Sequence, residues 1–448
     1  MKNKESITLR FPPSPTGLFH IGNTRTALFN YFYSKQNDGK LLFRLEDTDK
    51  ERSKEEYSLD IVEGLRWLGI DLDFSNIYKQ SEHGDTYKKY LEKMIAEGSA
   101  FISKEEPKEE GQRSEVVRLK NPGKKIIFED LVRGKVEVDT TELGDFVIAK
   151  SINEPIYHFA VVIDDFEMGI THIIRGEDGI YNTPRQILIQ EALGFPRPIY
   201  AHIPFILNAD RSKLSKRNQG ESVSLKYYRE KGYLPEALVN FLAFIGWNPG
   251  GEREIYSIVE LIEKFDIKKV QKSGGIFNPE KLLWFNKEYI KKLPKEKIKE
   301  EIKKRLPSNM QNEVILQKVC PIITERINIW SDIDKMLETG DIQYYFITPE
   351  YPFEMLIWKK KETKEEAKNN LYLAKKILED EKEELLSAEK TKELLWNLAE
   401  KRGMGNVLWP IRVALSGKEK SPDPFTIIGV LGRNEAIKRI DNAINKLS

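Results

Sequence analysis

The stretch SITLRFPPSPTGLFHIGNTRTALFNYFYSKQNDGKLLFRLED, residues 6–47, joins two short apolar runs through a glycine-containing turn and a helical pattern. The runs SITLRF and KLLFRLED have the length and composition of β-strands. Between them, Ala27, Leu28 and Tyr31 recur near helical spacing. Strand, turn, helix and strand in this order predict a βαβ unit, and such a unit predicts a parallel sheet.

The rest of the chain divides into three further regions. The first continues the mixed pattern, with three predicted strands and one predicted helix: HFAVVIDD (158–165), ITHIIRGED (170–178), RPIYAHIPFIL (197–207) and, as the helix, NTPRQILIQEALG (182–194). From about Asn76 to Glu154 the segments are charged and punctuated by glycine, which indicates an inserted subdomain rather than a continuation of the sheet. From about Pro294 onward, charged segments carry Leu and Ile at helical spacing, which predicts an all-helical last third.

Charge and cysteine content limit the class of protein. The 448 residues include 72 Lys and Arg and 71 Asp and Glu, so any contact with RNA must rest on local rather than overall positive charge. Cys320 is the single cysteine, which excludes an internal disulfide framework and a zinc site built from several cysteines. The first residues lack the apolar core of a signal peptide, and the most apolar run, 237–247, is too short to span a bilayer. We therefore expect a cytoplasmic protein without a membrane partner.

Two segments have the composition of phosphate-binding sites. The turn PPSPTGLFHIGNTR (12–25) precedes a helix, whose first N–H groups and dipole favour an anion. It contains the spacing of a P-loop, but Asn23 stands where a P-loop NTPase has lysine, which argues against that class. His20, taken alone, also fits a residue that only caps the helix. The stretch RSKLSKRNQG (211–220) fits either a solvated charge run or a group of cations that holds phosphates.

These two segments occur together in one enzyme family. HIG at the first helix and KLSKR after a late strand resemble the HIGH and KMSKS signatures of class I aminoacyl-tRNA synthetases. A longer ordered set is similar to bacterial-type glutamyl-tRNA synthetase and spans essentially the whole chain: RFPPSPTGLFHIGNTRTALFNY, FRLEDTDKERS, YHFAVVIDD, IIRGED, NTPRQ, KLSKR, LPEALVNFLAFIGW, FNPEKLLWFNKEYI and PIRVALSGKEKSPDPFTIIGVLG. Each motif is moderately specific alone, whereas the ordered set is highly specific.

The resemblance implies an α/β fold with several regions in sequence. Residues 1–75 and 156–212 would form a Rossmann-like, parallel-sheet catalytic domain, and residues 76–155 an inserted α+β subdomain that binds the acceptor end of tRNA. Residues 213–293 would carry the KLSKR loop and a region that contacts the tRNA stem. Residues 294–448 would form an all-helical anticodon-binding region.

The resemblance also implies a reaction in two steps. Glutamate and ATP, supplied with Mg²⁺, would form glutamyl-adenylate, and the glutamyl group would then pass to the 3′-terminal adenosine of tRNA. A carboxylate nucleophile is already ionised at neutral pH, so catalysis would rest on positioning and charge stabilisation rather than on a general base. The implied catalytic residues are His20 and Lys216. The implied ATP-binding residues are His20, Asn23, Glu177, Asp178, Lys213 and Lys216. Of the two acids, Asp178 or Glu177 would contact either the ATP ribose or the terminal adenosine of tRNA.

The implied glutamate-binding residues match the chemistry of an amino acid with a second carboxylate. Arg10 and Arg175 would bind the side-chain carboxylate, because the planar guanidinium pairs with a carboxylate in a bidentate manner. An arginine in an apolar strand also needs an anion beside it. Glu46 would pair with the substrate ammonium, and Ser14 and the hydroxyl of Tyr157 would add hydrogen bonds.

Some positions depart from the pattern of the family. Asn23 replaces the second histidine of the HIGH signature, Val161 stands where some relatives have Asn, and Gly179 stands where many have a bulkier residue. Some relatives carry a cysteine-based zinc site in the inserted subdomain, and this segment has no cysteine, so we expect no zinc.

The partners expected from the resemblance are glutamate, ATP and tRNA-Glu. The protein itself is expected to be a monomer. Charging of tRNA-Gln as well is left open, because the anticodon contacts cannot be read from the sequence. The alternatives are a glutaminyl-tRNA synthetase, a truncated relative that modifies a tRNA base, and a non-catalytic tRNA-binding paralogue. The paired arginines argue against a glutaminyl-tRNA synthetase, and the long helical region argues against the truncated relative. A non-catalytic paralogue would be expected to lose His20 or Lys216, and both are present.

Overall fold

The opening stretch folds as the βαβ unit that the sequence predicts, in a computed structural model that describes residues 6–105, 115–215, 220–358, 362–383 and 386–448. The chain forms two compact units, Met1–Tyr289 and Ile290–Ser448. The main elements of the first unit, in chain order, are β1 (Thr8–Phe11), α1 (Ile21–Gln36), β2 (Lys40–Leu45), α2 (Glu55–Trp67), β3 (Tyr78–Lys79), α3 (Gly84–Ala96), β4 (Ala100–Lys104), β5 (Glu115–Leu119), β6 (Lys125–Asp130), β7 (Gly134–Asp139), β8 (Phe146–Ser151), β9 (Glu154–Pro155), α4 (Tyr157–Glu167), β10 (His172–Gly176), α5 (Thr183–Leu193), β11 (Ile199–Ile203), β12 (Ile206–Leu207), α6 (Leu225–Glu230), α7 (Pro235–Phe244), α8 (Ile258–Lys264), β13 (Gly275–Ile276) and α9 (Pro279–Lys292).

The parallel strands of the first unit place their carboxyl ends close together. β1, β2 and β3 pair in parallel, and β10 pairs in parallel with β11. β10 lies beside β1, where the Thr171 amide donates to the Thr8 carbonyl at 3.0 Å. In α/β folds, ligands bind beyond the carboxyl ends of such strands.

Part of the inserted segment continues the parallel sheet, whereas the sequence predicted no such continuation. β4, β5, β8 and β9 form an antiparallel sheet of their own. The β6–β7 hairpin instead extends the sheet of β10 and β11, with Asp130 of β6 opposite Tyr200 of β11. Exposed Lys125, Ile127 and Glu129 alternate with buried Ile126 and Phe128 along β6, so the strand has few apolar residues in succession and resembles the surrounding surface segments.

The prediction of a strand at HFAVVIDD was wrong, because the segment lies within α4. Its successive residues Phe159 to Ile163 are all buried. A run that is buried on every side shows no amphipathic period and cannot be distinguished from a buried strand by pattern. The β-branched residues favoured a strand locally, but tertiary packing decides the outcome. The helix predicted at NTPRQILIQEALG is confirmed as α5, with Gly194 in the left-handed conformation just after it.

All secondary-structure elements in the described residues of the second unit are helices, as the sequence predicts. Its α-helices are α10 (Lys295–Arg305), α11 (Glu313–Arg326), α12 (Asp332–Glu338), α13 (Lys364–Asp380), α14 (Ala388–Arg402), α15 (Met404–Ser416), α16 (Pro424–Leu431) and α17 (Arg433–Lys446). Fully buried Leu371, Leu395, Ile411, Ile427 and Ile440 belong to its core. Across the described part of the chain, no helix has the length and apolarity that crossing a membrane requires.

Candidate active site

A cavity of about 690 Å³ in the first unit collects most of the site residues predicted from sequence. Those that line it are Arg10, Ser14, His20, Asn23, Glu46, Tyr157, Arg175, Asp178 and Lys213. Lys216 lies outside the described residues. Residues far apart in the chain therefore meet in one place, at the carboxyl ends of β1, β2 and β10.

Arg10 is held by a carboxylate of the protein on one side. Its Nε donates to both oxygens of Asp165, at 3.1 and 3.3 Å, and the side chain is almost fully buried. Its Nη1 is also buried and has no hydrogen-bond partner among the described residues. The sequence predicts a substrate anion as the partner of Arg10, whereas in the structure Asp165 already balances part of its charge.

Arg44 connects this pair to Glu46. Its Nη1 donates to Asp165 at 2.8 Å and its Nη2 to Glu46 at 3.2 Å, and all three side chains are buried. Burial alone would raise the pKa of Asp165, but Arg10 and Arg44 lower it below its ordinary value. Burial also raises the pKa of Glu46, and the two arginines only partly oppose this rise. A cation placed beside Glu46 would favour its ionised form.

The carboxylate of the neighbouring Asp164 lies 3.9 Å from Nε of Arg44 and is held by three other side chains. Its carboxylate accepts hydrogen bonds from Tyr78 at 2.8 Å, Tyr87 at 2.7 Å and Gln80 at 2.6 Å. Sequence reasoning missed this network. The signal available was the Asp164–Asp165 doublet at the end of an apolar run, together with Arg44 inside an apolar strand. Charges in such positions need partners.

Arg175 is held from three directions in the floor of the cavity. Its Nε donates to Nε2 of His202 at 3.0 Å, and its Nη2 donates to the Gly179 carbonyl at 3.0 Å and to Thr183 Oγ1 at 2.7 Å. Its Nη1 is buried without a hydrogen-bond partner among the residues that the structure describes. A Cβ at position 179 would lie 2.4 Å from Nε of Arg175, so this arginine occupies the space that a larger residue there would need.

His20 combines two features that the sequence left as alternatives. It is the N-cap of α1, with Nδ1 accepting from the Gly22 amide at 2.9 Å, and it also lines the cavity. Because Nδ1 accepts, the neutral ring carries its proton on Nε2, where it can donate. Asn23, in the first turn of the same helix, has an exposed side chain.

Lys213 and Asp178 line the cavity, whereas Glu177, the other acidic residue of the RGED motif, does not. The Nζ of Lys213 lies 3.8 Å from the centre of the Phe205 ring and 4.0 Å from the carboxylate of Asp178. Glu177 does not line the cavity, since its carboxylate accepts from Arg133 and, at 2.7 Å, from the Phe205 amide. Of the two, Asp178 is therefore the carboxylate placed to contact a ligand.

Two further observations bear on the predicted chemistry. Val161 is buried in α4 and does not line the cavity, so it offers no polar contact there. Among the described residues, no group of three His, Cys, Asp or Glu side chains is arranged to hold a metal ion.

Family models match nearly the whole chain. Residues 6–113 and 102–284 match the family described as tRNA synthetases class I (E and Q), catalytic domain. Residues 286–444 match the family described as anticodon binding domain. The parallel-sheet unit and the helical unit thus correspond to two families that together describe a tRNA synthetase.

Individual relatives agree with these matches. The chain is 40% identical to the glutamate–tRNA ligase of Carboxydothermus hydrogenoformans, over 98% of this chain and 100% of the relative. It is 38% identical to that of Aquifex aeolicus, over 99% of both chains. A solved glutamate tRNA ligase from Elizabethkingia meningosepticum, in complex with its amino acid, superposes with a TM-score of 0.86 at 31% identity, covering 99% of this chain and 100% of the other. The chain therefore belongs to the glutamate–tRNA ligases, a family of class I tRNA synthetases with a catalytic and an anticodon-binding domain.

Proposed function

We propose that the cavity activates glutamate with ATP and transfers it to the 3′-terminal adenosine of tRNA-Glu. The observation that carries the proposal is the pair of buried Nη1 atoms of Arg10 and Arg175, which lack protein partners in the described structure and belong to residues lining the same cavity as Glu46. Two guanidinium donors and one carboxylate suit an amino acid with an anionic side chain and an ammonium group. Glutamine would present its NH₂ group to donors, because guanidinium groups cannot accept hydrogen bonds.

In the first step, an oxygen of the substrate α-carboxylate attacks the α-phosphorus of ATP. The bond from that phosphorus to the bridging oxygen breaks, and pyrophosphate leaves. Arg10 and Arg175 hold the side-chain carboxylate and Glu46 the ammonium, with Ser14 and Tyr157 as further hydrogen-bond donors. This orients the α-carboxylate for an in-line approach, and positioning of this kind lowers the barrier without a general base.

In this proposal, hydrogen-bond donors from the start of α1 and from the KLSKR segment contact the phosphates of ATP. His20 Nε2 and the Asn23 amide donate from the start of α1, where the helix dipole also favours anions. Lys213 and Lys216 stabilise the charge that develops on the leaving pyrophosphate, and Mg²⁺ accompanies ATP as part of the substrate. Asp178 accepts from a ribose hydroxyl. We propose that no zinc takes part.

In the second step, the 2′-hydroxyl of the terminal adenosine attacks the glutamyl carbonyl and AMP leaves. The acceptor end of tRNA would contact residues of the inserted segment between β3 and α4 and reach the cavity. The domain limits given from sequence, 76–155 for this segment and 294–448 for the anticodon-binding region, remain part of the proposal. We also propose that the active protein is a monomer.

The deciding experiment is glutamylation of purified tRNA-Glu and tRNA-Gln by the pure protein. We expect charging of tRNA-Glu with glutamate and none with glutamine. Pyrophosphate exchange with and without tRNA, and in buffer depleted of zinc, tests the remaining requirements. If neither tRNA accepts glutamate, the proposed function is wrong, and charging of both tRNAs would extend it to tRNA-Gln.

Lys216 offers a second test of the same chemistry. Lys216→Ala should lower the rate of glutamyl-adenylate formation by at least about 100-fold, which is typical for losing one contact to developing charge. The KM for glutamate should change little, since Lys216 does not face the amino acid in this proposal. Arg217→Ala is the matched control, a neighbouring cation to which we assign no role. Equal activation rates in wild type and Lys216→Ala would refute the assignment.

A further inference from the structure

His202 lies fully buried between two residues of opposite charge beneath the cavity. It belongs to β11, and its Nδ1 lies 2.6 Å from Oδ2 of Asp130. Its Nε2 lies 3.0 Å from Nε of Arg175, in the register where β10 and β11 place these two residues side by side. The imidazole therefore joins the end of β6, in the inserted segment, to an arginine that lines the cavity.

The two charged neighbours determine which ring nitrogen of His202 carries the proton, because the hydroxyl of Thr183, 3.1 Å from Nε2, can either donate or accept and fits both tautomers. Burial alone would raise the pKa of Asp130, but the hydrogen bonds it accepts from His202 and from the backbone lower it, so it is an ionised, accepting group. Arg175 only donates, because a guanidinium has no acceptor. His202 must therefore donate from Nδ1 and accept at Nε2. Burial lowers the pKa of His202, which keeps the ring neutral and Nε2 able to accept.

The orientation of Asp130 is fixed by the backbone around it. Its Oδ1 accepts from the amides of Val132 at 2.9 Å and Arg133 at 2.8 Å, at the turn that follows β6. The His202 amide also donates to this carboxylate, at 3.1 and 3.2 Å. Oδ1 is thus committed to the turn, and Oδ2 is the atom that faces the imidazole.

We propose that His202, with its tautomer set by Asp130, is a positioning residue that holds Arg175 in the orientation that binds the glutamate side chain. The inference rests on the proposed role of Arg175 in glutamate binding. By accepting from Nε, His202 holds the guanidinium so that Nη2 bonds Gly179 and Thr183, while Nη1 remains for the substrate. The inserted segment then contributes to amino-acid recognition through Asp130, although Asp130 does not line the cavity.

Asp130→Asn tests the tautomer without changing the shape of the side chain. The amide oxygen would take the place of Oδ1, because two backbone amides donate there, and its NH₂ group would face Nδ1 of His202. The histidine proton would then move to Nε2 and point at the N–H of Arg175. We expect a rise of at least about tenfold in the KM for glutamate, the scale of a lost hydrogen bond to a charged group, with less than a twofold change in the KM for ATP.

The matched control is Asp139→Asn, at the exposed end of β7 in the same hairpin, which should leave both KM values unchanged. The ring ¹⁵N shifts of His202, assigned with a His202→Gln sample, report the tautomer independently of activity. We expect a proton on Nδ1 in the wild type and on Nε2 in Asp130→Asn. A tautomer that switches while the KM for glutamate stays at the wild-type value would overturn the proposal, as would an equal rise in both KM values.

A second pair of variants keeps the proposal testable if Asp130→Asn does not fold. Gln at position 202 can place an oxygen near the position of Nε2 and still accept from Arg175, whereas Leu of similar size cannot. His202→Leu should therefore raise the KM for glutamate at least about tenfold more than His202→Gln does. Equal KM values in the two variants would refute the role of His202. Failure of the wild type to charge tRNA-Glu would instead refute the proposed function, and the ¹⁵N measurement would still report the tautomer.

Discussion

Glu46 is the residue at which a buried charge and a substrate charge should meet. Burial raises its pKa, so the free enzyme loses the carboxylate at a higher pH than an exposed glutamate would. Since only the ionised form attracts the ammonium, kcat/KM for glutamate should fall as pH decreases through this raised pKa. Glu46→Gln should lower kcat/KM at neutral pH by about 10- to 100-fold and remove this part of the acidic limb. Steady-state pyrophosphate exchange from pH 5 to pH 8 measures both effects.

Comparison with the wild type isolates the contribution of Glu46, because the titration of glutamate itself is common to both enzymes. The KM for ATP should be similar in the two at neutral pH. If Glu46→Gln keeps the complete acidic limb of the wild type, another group is responsible for it, and Glu46 does not bind the ammonium as an ionised partner.

For single residues, the sequence indicates which charged side chains belong to the candidate site. It does not indicate which other side chains hold them in position. Arg10 and Arg175 stand out in the sequence because a charge in an apolar strand needs an anion, and both line the cavity. Asp165 could not be assigned to Arg10, since 155 positions separate them and only the packing of α4 against the sheet brings them together. His202 likewise could not be assigned to Arg175 from the sequence, because only the register of β10 and β11 places the two residues side by side.

At the start of α1, one side chain, that of His20, has both a structural role and a proposed chemical role. His20 caps the helix through Nδ1, and we propose that its Nε2 donates to ATP. His20→Asn should separate these roles, because Asn is a favoured N-cap whose oxygen can accept from Gly22, but it has no donor at the position of Nε2. We expect its free energy of unfolding to stay close to the wild type, whereas its rate of adenylate formation falls by about 100-fold or more.

His20→Ala is the companion variant, because it removes the cap as well as the donor. It should lose about 1 kcal/mol of stability in urea unfolding, the usual effect of losing a cap, and show the same slow activation as His20→Asn. Wild-type activation by His20→Asn would mean that the histidine only caps the helix.

Helices with a periodic or capping signal in the sequence could be predicted, whereas a helix without one could not. α1, α5 and the helices of the second unit carry such signals, and the structure confirms these helices. Burial does not separate the two cases, because α1 and α5 also bury successive residues, 27–32 and 186–190. α4 buries residues 159–165 in the same way, but it begins after Ile156 without a side-chain cap. The site depends on this helix, which supplies Tyr157, Asp164 and Asp165.

At the scale of the whole molecule, the two family matches predict that recognition of tRNA is divided between its acceptor end and its anticodon. The net charge of +1 provides no general attraction for a polyanion, so specific contacts have to select the tRNA. Residues 286–444 match an anticodon-binding family, and the catalytic cavity lies in the other unit. Bases of the anticodon should therefore affect charging although they take no part in the chemistry.

We predict that a tRNA-Glu transcript with all three anticodon bases replaced is charged with a kcat/KM at least about 100-fold lower, since each unstacked base contact contributes about 1–3 kcal/mol. A transcript with a single change in the third anticodon base, toward that of tRNA-Gln, determines whether this position is read. A loss of about tenfold or more there would show discrimination against tRNA-Gln at that base, and little loss would show that this base does not exclude tRNA-Gln. A transcript altered only in its variable loop is the control. Unchanged charging of the fully replaced anticodon would contradict the prediction and would confine recognition to the acceptor end.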